Sequence, residues 1–98
     1  MEVRFSDRKL QRLEHDREYT LGFAREVVKA FRKRIQFIRS AADDRDFYGM
    51  SSLRFEKLRG QRRHQCSMRL NKQWRLILEF ENDGDSKVVV VVSIEDYH

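Results

Sequence analysis

The residues of this chain best suited to chemistry on a phosphate backbone lie in one basic segment and at the carboxyl end. Residues 51–78 hold eight Lys or Arg side chains against one carboxylate, whereas residues 79–98 hold one against six. A guanidinium group stays charged at any working pH and offers a planar fork to two phosphate oxygens. The chain ends in Tyr97-His98, and an unperturbed imidazole titrates near pH ~6.5, so it can transfer protons. This pattern favours contact with a polyanion such as RNA.

The basic segment supplies the side chains that we expect to contact an RNA backbone. They are Lys57, Arg62, Arg63, His64, Arg69 and Lys72. The alternative interpretation is a solubilising surface, although such a surface normally mixes both signs of charge more evenly. The three histidines and Cys66 lack the close spacing of a metal site, and no glycine-rich phosphate motif is present. The sequence therefore predicts neither a metal nor another cofactor.

Composition limits the classes of protein to which the chain can belong. Its 98 residues are 40% hydrophobic, which suffices for one core, so we expect a single domain over residues 1–98. No apolar run is long enough to span a bilayer, and the first five residues alternate like a strand rather than a secretory signal. Cys66 is the only cysteine, which fits a reducing compartment. We expect a cytoplasmic protein without a membrane partner, in which Cys66 is a core residue.

Hydrophobic periodicity predicts two helices in the first half of the chain. A short helix is expected to begin at Ser6-Asp7, whose side chains can cap it. A longer helix is predicted over roughly residues 21–42, with Thr20 as its cap, because apolar residues recur at helical spacing: Phe23, Val27, Phe31, Ile35 and Ile38. Its other face carries charges that are interpreted as solvated, with contact to RNA as the alternative for some of them: Lys29, Arg32, Lys33 and Arg39. Residues 42–52 are predicted to form a short helix or a loop.

Period-two alternation predicts strands in the second half. Residues 66–70 and 74–80 form two amphipathic strands joined by Asn71-Lys72-Gln73, and a β-branched run covers residues 88–92. With a first strand at residues 1–5, the order is strand, helix, helix and three strands. This order predicts an α+β fold in which the helices pack on one face of a mainly antiparallel sheet. Arg69 and Arg75 alternate away from the apolar set and are expected on the open face.

Three stretches of the sequence carry a resemblance to a known family. Phe55–Gly60, Ser67–Leu76 and Glu95–His98 resemble, in order and spacing, the HigB toxins of the RelE superfamily. The resemblance implies a RelE-like fold and a toxin of a type II toxin–antitoxin system that inhibits translation by cleaving messenger RNA on the ribosome. It also implies a cognate HigA-like helix-turn-helix antitoxin, with operator DNA contacted only through the toxin–antitoxin complex.

The same resemblance implies a set of catalytic residues: Arg59, Arg75, Asp96, Tyr97 and His98. Cleavage without a metal requires the 2′-hydroxyl to attack the adjacent phosphorus, with a proton acceptor, a proton donor and cations for the phosphoryl charge. We expect Arg59 and Arg75 to supply the cations, His98 to transfer a proton and Tyr97 to orient the hydroxyl or stack on a base. Arg59 stands where a lysine is common, and Glu56 stands where some relatives carry a histidine. The proton-transfer role therefore has three candidates: His98, Glu56 and Tyr97.

Structural and functional alternatives exist for each of these residues. In the structural alternative, His98 is a frayed end and Tyr97 closes the core. Arg75 then pairs with a carboxylate such as Glu95 across the sheet. A ParE-like inhibitor of DNA gyrase would have a similar fold without a proton-transferring terminus. A non-catalytic RNA-binding module would need only a cationic sheet.

Overall fold

The computed structural model describes residues 1–97, which form three α-helices and five strands. The strands are β1 (Glu2–Phe5), β2 (Glu56–Lys57), β3 (Gln65–Arg69), β4 (Trp74–Asp83) and β5 (Ser86–Asp96). The helices are α1 (Arg8–His15), α2 (Arg25–Ser40) and α3 (Arg45–Tyr48), and short 3₁₀ helices cover Ser51–Leu53 and Gly60–Arg62. No helix within this described range is long and apolar enough to cross a membrane.

One sheet contains these five strands in the order β1-β5-β4-β3-β2. β1 runs parallel to β5, with Val3 opposite Val89, and every other neighbouring pair is antiparallel. A parallel pair needs a long crossover connection, and the helices α1 and α2 lie in that connection. The predicted α+β fold with a mainly antiparallel sheet is confirmed.

The hydrophobic core lies between the two longer helices and one face of the sheet. Its buried members include Leu10 and Leu13 of α1, Val27, Phe31, Ile35 and Ile38 of α2, and Met68, Leu76, Leu78, Val89 and Val91 of the sheet. Burying such a side chain contributes roughly 1.5–3 kcal/mol of transfer free energy. The predicted apolar stripe of α2 is confirmed from Val27 to Ile38. Phe23, predicted as its first member, precedes the helix and packs edge-to-face against Trp74, with 5.1 Å between ring centroids.

The helix α2 begins at Arg25, four residues later than the sequence pattern predicts. Leu21 and Gly22 precede it in the left-handed region, with φ of 53° and 81°, a conformation that glycine adopts at little cost and leucine does not. The Thr20 hydroxyl accepts a hydrogen bond from Gly22 N–H at 3.4 Å within this turn. Ala24 stands at the cap position without a side-chain hydrogen bond. The predicted cap at Thr20 is therefore wrong, because a turn separates it from the helix.

Two arginines of α2 fasten this helix to the segment of α1 and the loop after it. The Arg32 guanidinium donates to the carbonyl oxygens of Leu13, Asp16 and Tyr19 at 2.8–3.3 Å. Arg39 pairs with Glu14 of α1 through two hydrogen bonds of 2.8 Å. The interpretation of Arg32 as a solvated charge is therefore wrong, because this side chain holds the helices together. Arg39 is exposed, as predicted, although it also pairs with Glu14.

Residues 42–58 contain a short helix, as predicted, and an edge strand that the pattern does not reveal. Phe47 of α3 is fully buried, and its ring centroid lies 5.9 Å from that of Phe37, 5.2 Å from Phe55 and 6.5 Å from Phe80. This aromatic cluster fixes the chain just before β2, which pairs with β3 through Glu56 and Ser67. The cluster thereby places Glu56 at the edge of the sheet.

We expect Phe47→Ala to lower the free energy of unfolding by about 3–5 kcal/mol, because it leaves a cavity among three rings. Tyr48→Ala is the matched control: this neighbouring aromatic side chain is 60% exposed, so its loss should cost about 1 kcal/mol or less. Chemical denaturation of both variants measures the difference. Equal losses would contradict the anchoring role of Phe47.

Candidate functional site

The sheet face opposite the helices carries a small cavity of about 190 Å³. Its walls are formed by Glu56, Leu58, Arg62, Ser67, Arg75, Ile77, Glu95, Asp96 and Tyr97. Arg75 and Ile77 of β4 reach this face because the alternate residues Leu76 and Leu78 point into the core. The structure therefore places Arg75 on the open face, as the alternation predicts.

A one-residue bulge in β5 alters the pairing of the two central strands. Ile77 of β4 lies opposite Ser93, but the next residue, Leu78, lies opposite Val91. Val92 is therefore an extra residue in β5 without a partner in the β4 ladder. The Ser6 hydroxyl donates a hydrogen bond of 3.0 Å to the Val92 carbonyl oxygen, which gives that carbonyl a partner from the end of β1.

The bulge brings the end of β5 to the cavity. Before the bulge, Val89 and Val91 point into the helix-side core. Side chains alternate along a strand, so after one extra residue the odd-numbered side chains point to the opposite face of the sheet. Glu95 and Tyr97 consequently line the cavity on the open face.

The Arg75 guanidinium is the most deeply buried charge at this cavity. The residue is 8% exposed, and its Nε and Nη1 atoms have no hydrogen-bond partner within residues 1–97. The ring of Tyr97 covers the guanidinium, with 4.2 Å from the Arg75 Cζ to the ring centroid, a cation–π distance. Buried donors without partners are rare in folded proteins. The arrangement presents a fixed, charged fork to which an oxyanion can bind.

Glu95 lies directly opposite Arg75 in the ladder, but its carboxylate is held by Arg62. The Arg62 Nη1 and Nη2 atoms donate to Oε1 and Oε2 of Glu95, both at 2.8 Å, and the Ser93 hydroxyl donates to Oε2 at 2.8 Å. The hydrogen bonds from Arg62 lower the pKa of Glu95, and the same contact raises the pKa of Arg62. The structure does not support the alternative in which Arg75 merely pairs with Glu95.

The cavity gathers only part of the residue set predicted from the sequence. Arg62, Arg75, Asp96 and Tyr97 line its walls. Arg59 is exposed at the start of the neighbouring 3₁₀ helix and is not among the lining residues. His98, the predicted proton-transfer residue, lies outside the described residues.

The other predicted RNA contacts lie beyond the cavity walls. Lys57, Arg63 and Lys72 are exposed. The Nε2 atom of His64 lies 3.7 Å from Oε2 of Glu79. Arg69 is half-buried, and its Nε atom donates to the Asn71 carbonyl oxygen at 3.2 Å. These side chains are thus available around the basic segment but do not converge on Arg75.

Sequence reasoning missed part of the cavity wall. Ser67 and Ile77 are cross-strand partners, and strand alternation places them on the same face as Arg75, so this signal could have identified them. Leu58 carries no such signal, because the strand before it, β2, has only two residues and no alternating pattern can be read from it. Glu56 was already named from the family resemblance as an alternative for proton transfer, and it lies on the cavity wall.

Positive charge on the described surface is concentrated away from the cavity. The cavity walls hold two arginines against three carboxylates. A larger groove of about 510 Å³ lies between α2 and the preceding loop, and its charged residues are Arg17, Arg25, Lys29, Arg32, Lys33 and Glu18. Four of its cations, Arg17, Arg25, Lys29 and Lys33, form no ion pair with another described residue. We refer to these six charged residues as the basic groove.

The cysteine and histidine side chains of the described residues do not form a metal site. Within residues 1–97, no group of three His, Cys, Asp or Glu side chains is placed to hold a metal ion. Cys66 is buried and forms no disulfide, and burial raises the pKa of its thiol. The prediction that Cys66 is a core residue is confirmed.

The fold of this chain is shared by several solved structures. It is similar to a YoeB/ParE toxin from Agrobacterium tumefaciens, with a TM-score of 0.64, 12% identity and coverage of 100% of both chains. A chain of the YoeB–YefM complex from Staphylococcus aureus gives a TM-score of 0.62 at 19% identity, covering 100% of this chain and 97% of that one. YafQ from E. coli gives 0.58 at 10% identity, covering 97% and 91%.

Comparison with protein-family models identifies the family of this chain. A model of the HigB-like toxins, described as RelE-like toxins of the type II toxin–antitoxin system HigB, matches residues 3–98, so the chain belongs to this family. No curated protein matches the sequence. The family predicted from three short stretches of sequence is thus confirmed.

The Arg62–Glu95 contact gives a pH-dependent prediction. We expect Arg62→Ala to raise the pKa of Glu95, because the donors that favour its ionised form are lost. In the parent, the stabilisation from this pair is present above the pKa of the unfolded-chain carboxyl and disappears as the pH falls through the lower folded-state pKa. An NMR titration of the Glu95 carboxyl measures the change, with Arg63→Ala as the control. A Glu95 that titrates alike in both variants would contradict the assignment.

Proposed function

We propose that this chain is the toxin of a type II toxin–antitoxin pair and inhibits translation by cleaving messenger RNA on the ribosome. The observation that carries the proposal is the buried Arg75 guanidinium, whose Nε and Nη1 atoms have no partner among the described residues. Leaving a buried donor unpaired costs roughly 1–3 kcal/mol. A phosphate in the cavity offsets that cost, whereas a surface used only to bind gyrase has no need of it.

Arg75 is suited to stabilise charge on the phosphoryl group. When the 2′-hydroxyl attacks the adjacent phosphorus and the bond to the 5′-oxygen breaks, negative charge grows on the non-bridging oxygens. A guanidinium fixed by burial and by the Tyr97 ring meets this charge without reorganising. Arg59 is the cap residue just before the 3₁₀ helix Gly60–Arg62, and we assign it a second cationic role, supplied from outside the cavity wall.

Tyr97 is suited to hold the nucleotide over Arg75. One face of its ring covers the guanidinium, while the residue as a whole is 51% exposed. An exposed aromatic face can stack on an unpaired base, which is how single-stranded RNA is commonly bound. A base stacked there would bring its phosphate towards the donors of Arg75.

Proton transfer is assigned to His98 or Glu56 in preference to Glu95. Glu95 is a weak base, because Arg62 holds both its oxygens and lowers its pKa. His98 is the first candidate, from the family resemblance, and the exposed Glu56 on the cavity wall is the second. Asp96 also lines the wall and accepts a hydrogen bond from Gln73, which suits a role in placing the C-terminal residues.

Attraction to the ribosome is assigned to charge outside the cavity. The cavity itself holds more carboxylates than arginines, so long-range attraction to RNA must come from elsewhere. The basic groove offers five cations against one carboxylate. The exposed residues Lys57, Arg63, His64 and Lys72, together with Arg62 and Arg69, supply further phosphate contacts. Neutralising phosphates releases condensed counterions, which makes such binding strongly dependent on salt.

The proposed partners follow from the family. A toxin of this type acts in the cytoplasm and is restrained by a cognate antitoxin, which we propose to be HigA-like, with a helix-turn-helix domain. Of the structurally similar proteins, the Staphylococcus aureus chain belongs to a complex of YoeB with YefM. Operator DNA would be contacted through the antitoxin, because the cations of this chain are assigned to RNA.

Substitutions of Arg75 and His98 should impair cleavage in different ways. Arg75→Ala should slow single-turnover cleavage on programmed ribosomes by about 10²–10³ at every pH, because it removes transition-state charge stabilisation. His98→Ala should cost about 10²–10⁴ and should remove the limb of the pH–rate profile that reports its titration. Arg8→Ala, an exposed substitution on α1, is the control and should cleave like the parent.

Ribosome binding by each variant is measured separately, so that a docking defect is distinguished from a chemical one. A His98→Ala protein that cleaves at the parental rate across the pH range would move proton transfer to Glu56 or Tyr97. A parent chain that leaves the message intact but inhibits gyrase supercoiling would overturn the proposed function in favour of the ParE-like alternative.

Neutralising the basic groove should weaken docking and leave the chemistry intact. We expect the triple variant Arg25→Gln, Lys29→Gln and Lys33→Gln to bind ribosomes less tightly and to reduce the slope of log Kd against log salt by about 2–3. At saturating ribosome its single-turnover rate should equal that of the parent. A control with the same loss of charge, Arg8→Gln, Lys9→Gln and Arg54→Gln, should retain the parental slope. Equal slopes in the two variants would contradict the assignment of the groove.

A further inference from the structure

The turn between β3 and β4 is shaped by a single side-chain oxygen. The Oδ1 atom of Asn71 accepts hydrogen bonds from the backbone N–H groups of Gln73 at 2.9 Å and Trp74 at 2.8 Å. On the other side of the turn, the Leu70 and Asn71 N–H groups donate to the Trp74 carbonyl oxygen at 2.9 and 3.3 Å. Asn71 thus fixes the direction of the Gln73 peptide, and it does not line the cavity that contains Arg75.

This turn holds the end of β5. The Gln73 carbonyl oxygen accepts a hydrogen bond from Tyr97 N–H at 2.6 Å, and the Gln73 Nε2 atom donates to Oδ2 of Asp96 at 3.1 Å. The first of these bonds lies beyond the last pair of the β4–β5 ladder, Trp74 opposite Asp96. Tyr97 follows the last residue of β5, where the strand ladder no longer holds the backbone. The Tyr97 ring is half-exposed, so burial alone gives it little restraint.

We propose that Asn71 and Gln73 form a clasp that positions Tyr97 over Arg75, and that Asn71 is a positioning residue for RNA cleavage. The inference deepens the proposed function and rests on it. Asn71 acts through a chain of contacts: its Oδ1 sets the Gln73 peptide, the Gln73 carbonyl holds the Tyr97 backbone, and the Tyr97 ring covers the guanidinium at 4.2 Å. Asn71 itself does not line the cavity that contains Arg75.

Loss of the Asn71 oxygen leaves the Gln73 and Trp74 N–H groups without their acceptor and loosens the turn. Tyr97 then loses its fixed backbone partner and the ring no longer stays over Arg75. A displacement of about 1 Å in a reacting constellation reduces rates by roughly 10²-fold. Binding to the ribosome should change little, because the basic groove lies elsewhere and Lys72 is the only one of the proposed RNA contacts within this turn.

The test compares Asn71→Ala, Asn71→Asp and Asn82→Ala. Asn71→Asp keeps an acceptor oxygen at the same position, and Asn82→Ala makes the alanine substitution in the other hairpin, where the residue is exposed. Single-turnover cleavage on programmed ribosomes, ribosome affinity and NMR-detected hydrogen exchange at the Tyr97 amide are measured for each. We expect Asn71→Ala to slow cleavage about 10- to 100-fold and to accelerate Tyr97 exchange, at unchanged affinity. Asn71→Asp should recover both properties, and Asn82→Ala should match the parent in both.

Two results would overturn the inference while leaving the proposed function standing. Tyr97 exchange in Asn71→Ala could equal that of the parent, which would mean that the turn does not hold the C-terminal residues. Exchange could instead accelerate with cleavage at the parental rate, which would mean that the position of Tyr97 does not matter to the reaction. A parent that fails to cleave overturns the proposed function and the catalytic role of Asn71 together, and the exchange data then show separately whether the clasp exists.

Discussion

The extra residue Val92 in β5 determines where the C-terminal side chains lie. An uninterrupted strand would send the odd-numbered positions of β5 to one face, so that Glu95 and Tyr97 would follow Val89 and Val91 into the helix-side core. The bulge shifts the phase by one residue and directs them to the open face beside Arg75. The Ser6 hydroxyl satisfies the displaced carbonyl. The cation–π contact, the Arg62–Glu95 pair and the cavity all depend on this single change of register.

Burial of Arg75 combines a stability cost with a chemical advantage. A guanidinium removed from water and left with unpaired donors destabilises the folded chain, and the Tyr97 ring offsets part of that cost through a cation–π contact. Glu95, the neighbour best placed to neutralise it, is held by Arg62 instead. The charge of Arg75 is therefore left for a ligand, and it is fixed in place before the ligand arrives. Preorganised charge of this kind is the main physical means by which proteins stabilise a developing oxyanion.

The proposed function assigns attraction and chemistry to different parts of the surface. The cavity walls hold more acidic than basic groups, whereas the basic groove beside α2 holds cations that no described carboxylate neutralises. Long-range attraction depends on net charge and falls with salt, while stabilisation of a phosphoryl group depends on the exact placement of one or two donors. Separation allows the cavity to keep the carboxylates that a proton-transfer site needs, without loss of affinity for a polyanion. One arginine of α2 serves both the groove and the fold, since Arg32 lines the groove and also binds three carbonyl oxygens of α1 and its loop.

The sequence by itself determined the fold class, the apolar stripe of α2, the open-face position of Arg75 and the family, because all of these depend on local periodicity or on residues close together in the chain. It did not determine the start of α2, since the left-handed pair Leu21-Gly22 interrupts an apolar pattern that continues through it. Nor could it reveal β2, a two-residue strand that exists only because the Phe47 cluster and β3 hold it. The partner of Glu95 and the position of Tyr97 were decided by tertiary structure alone. Both depend on a bulge within a run of valines, where every residue suits a strand and no local signal marks which one is left unpaired.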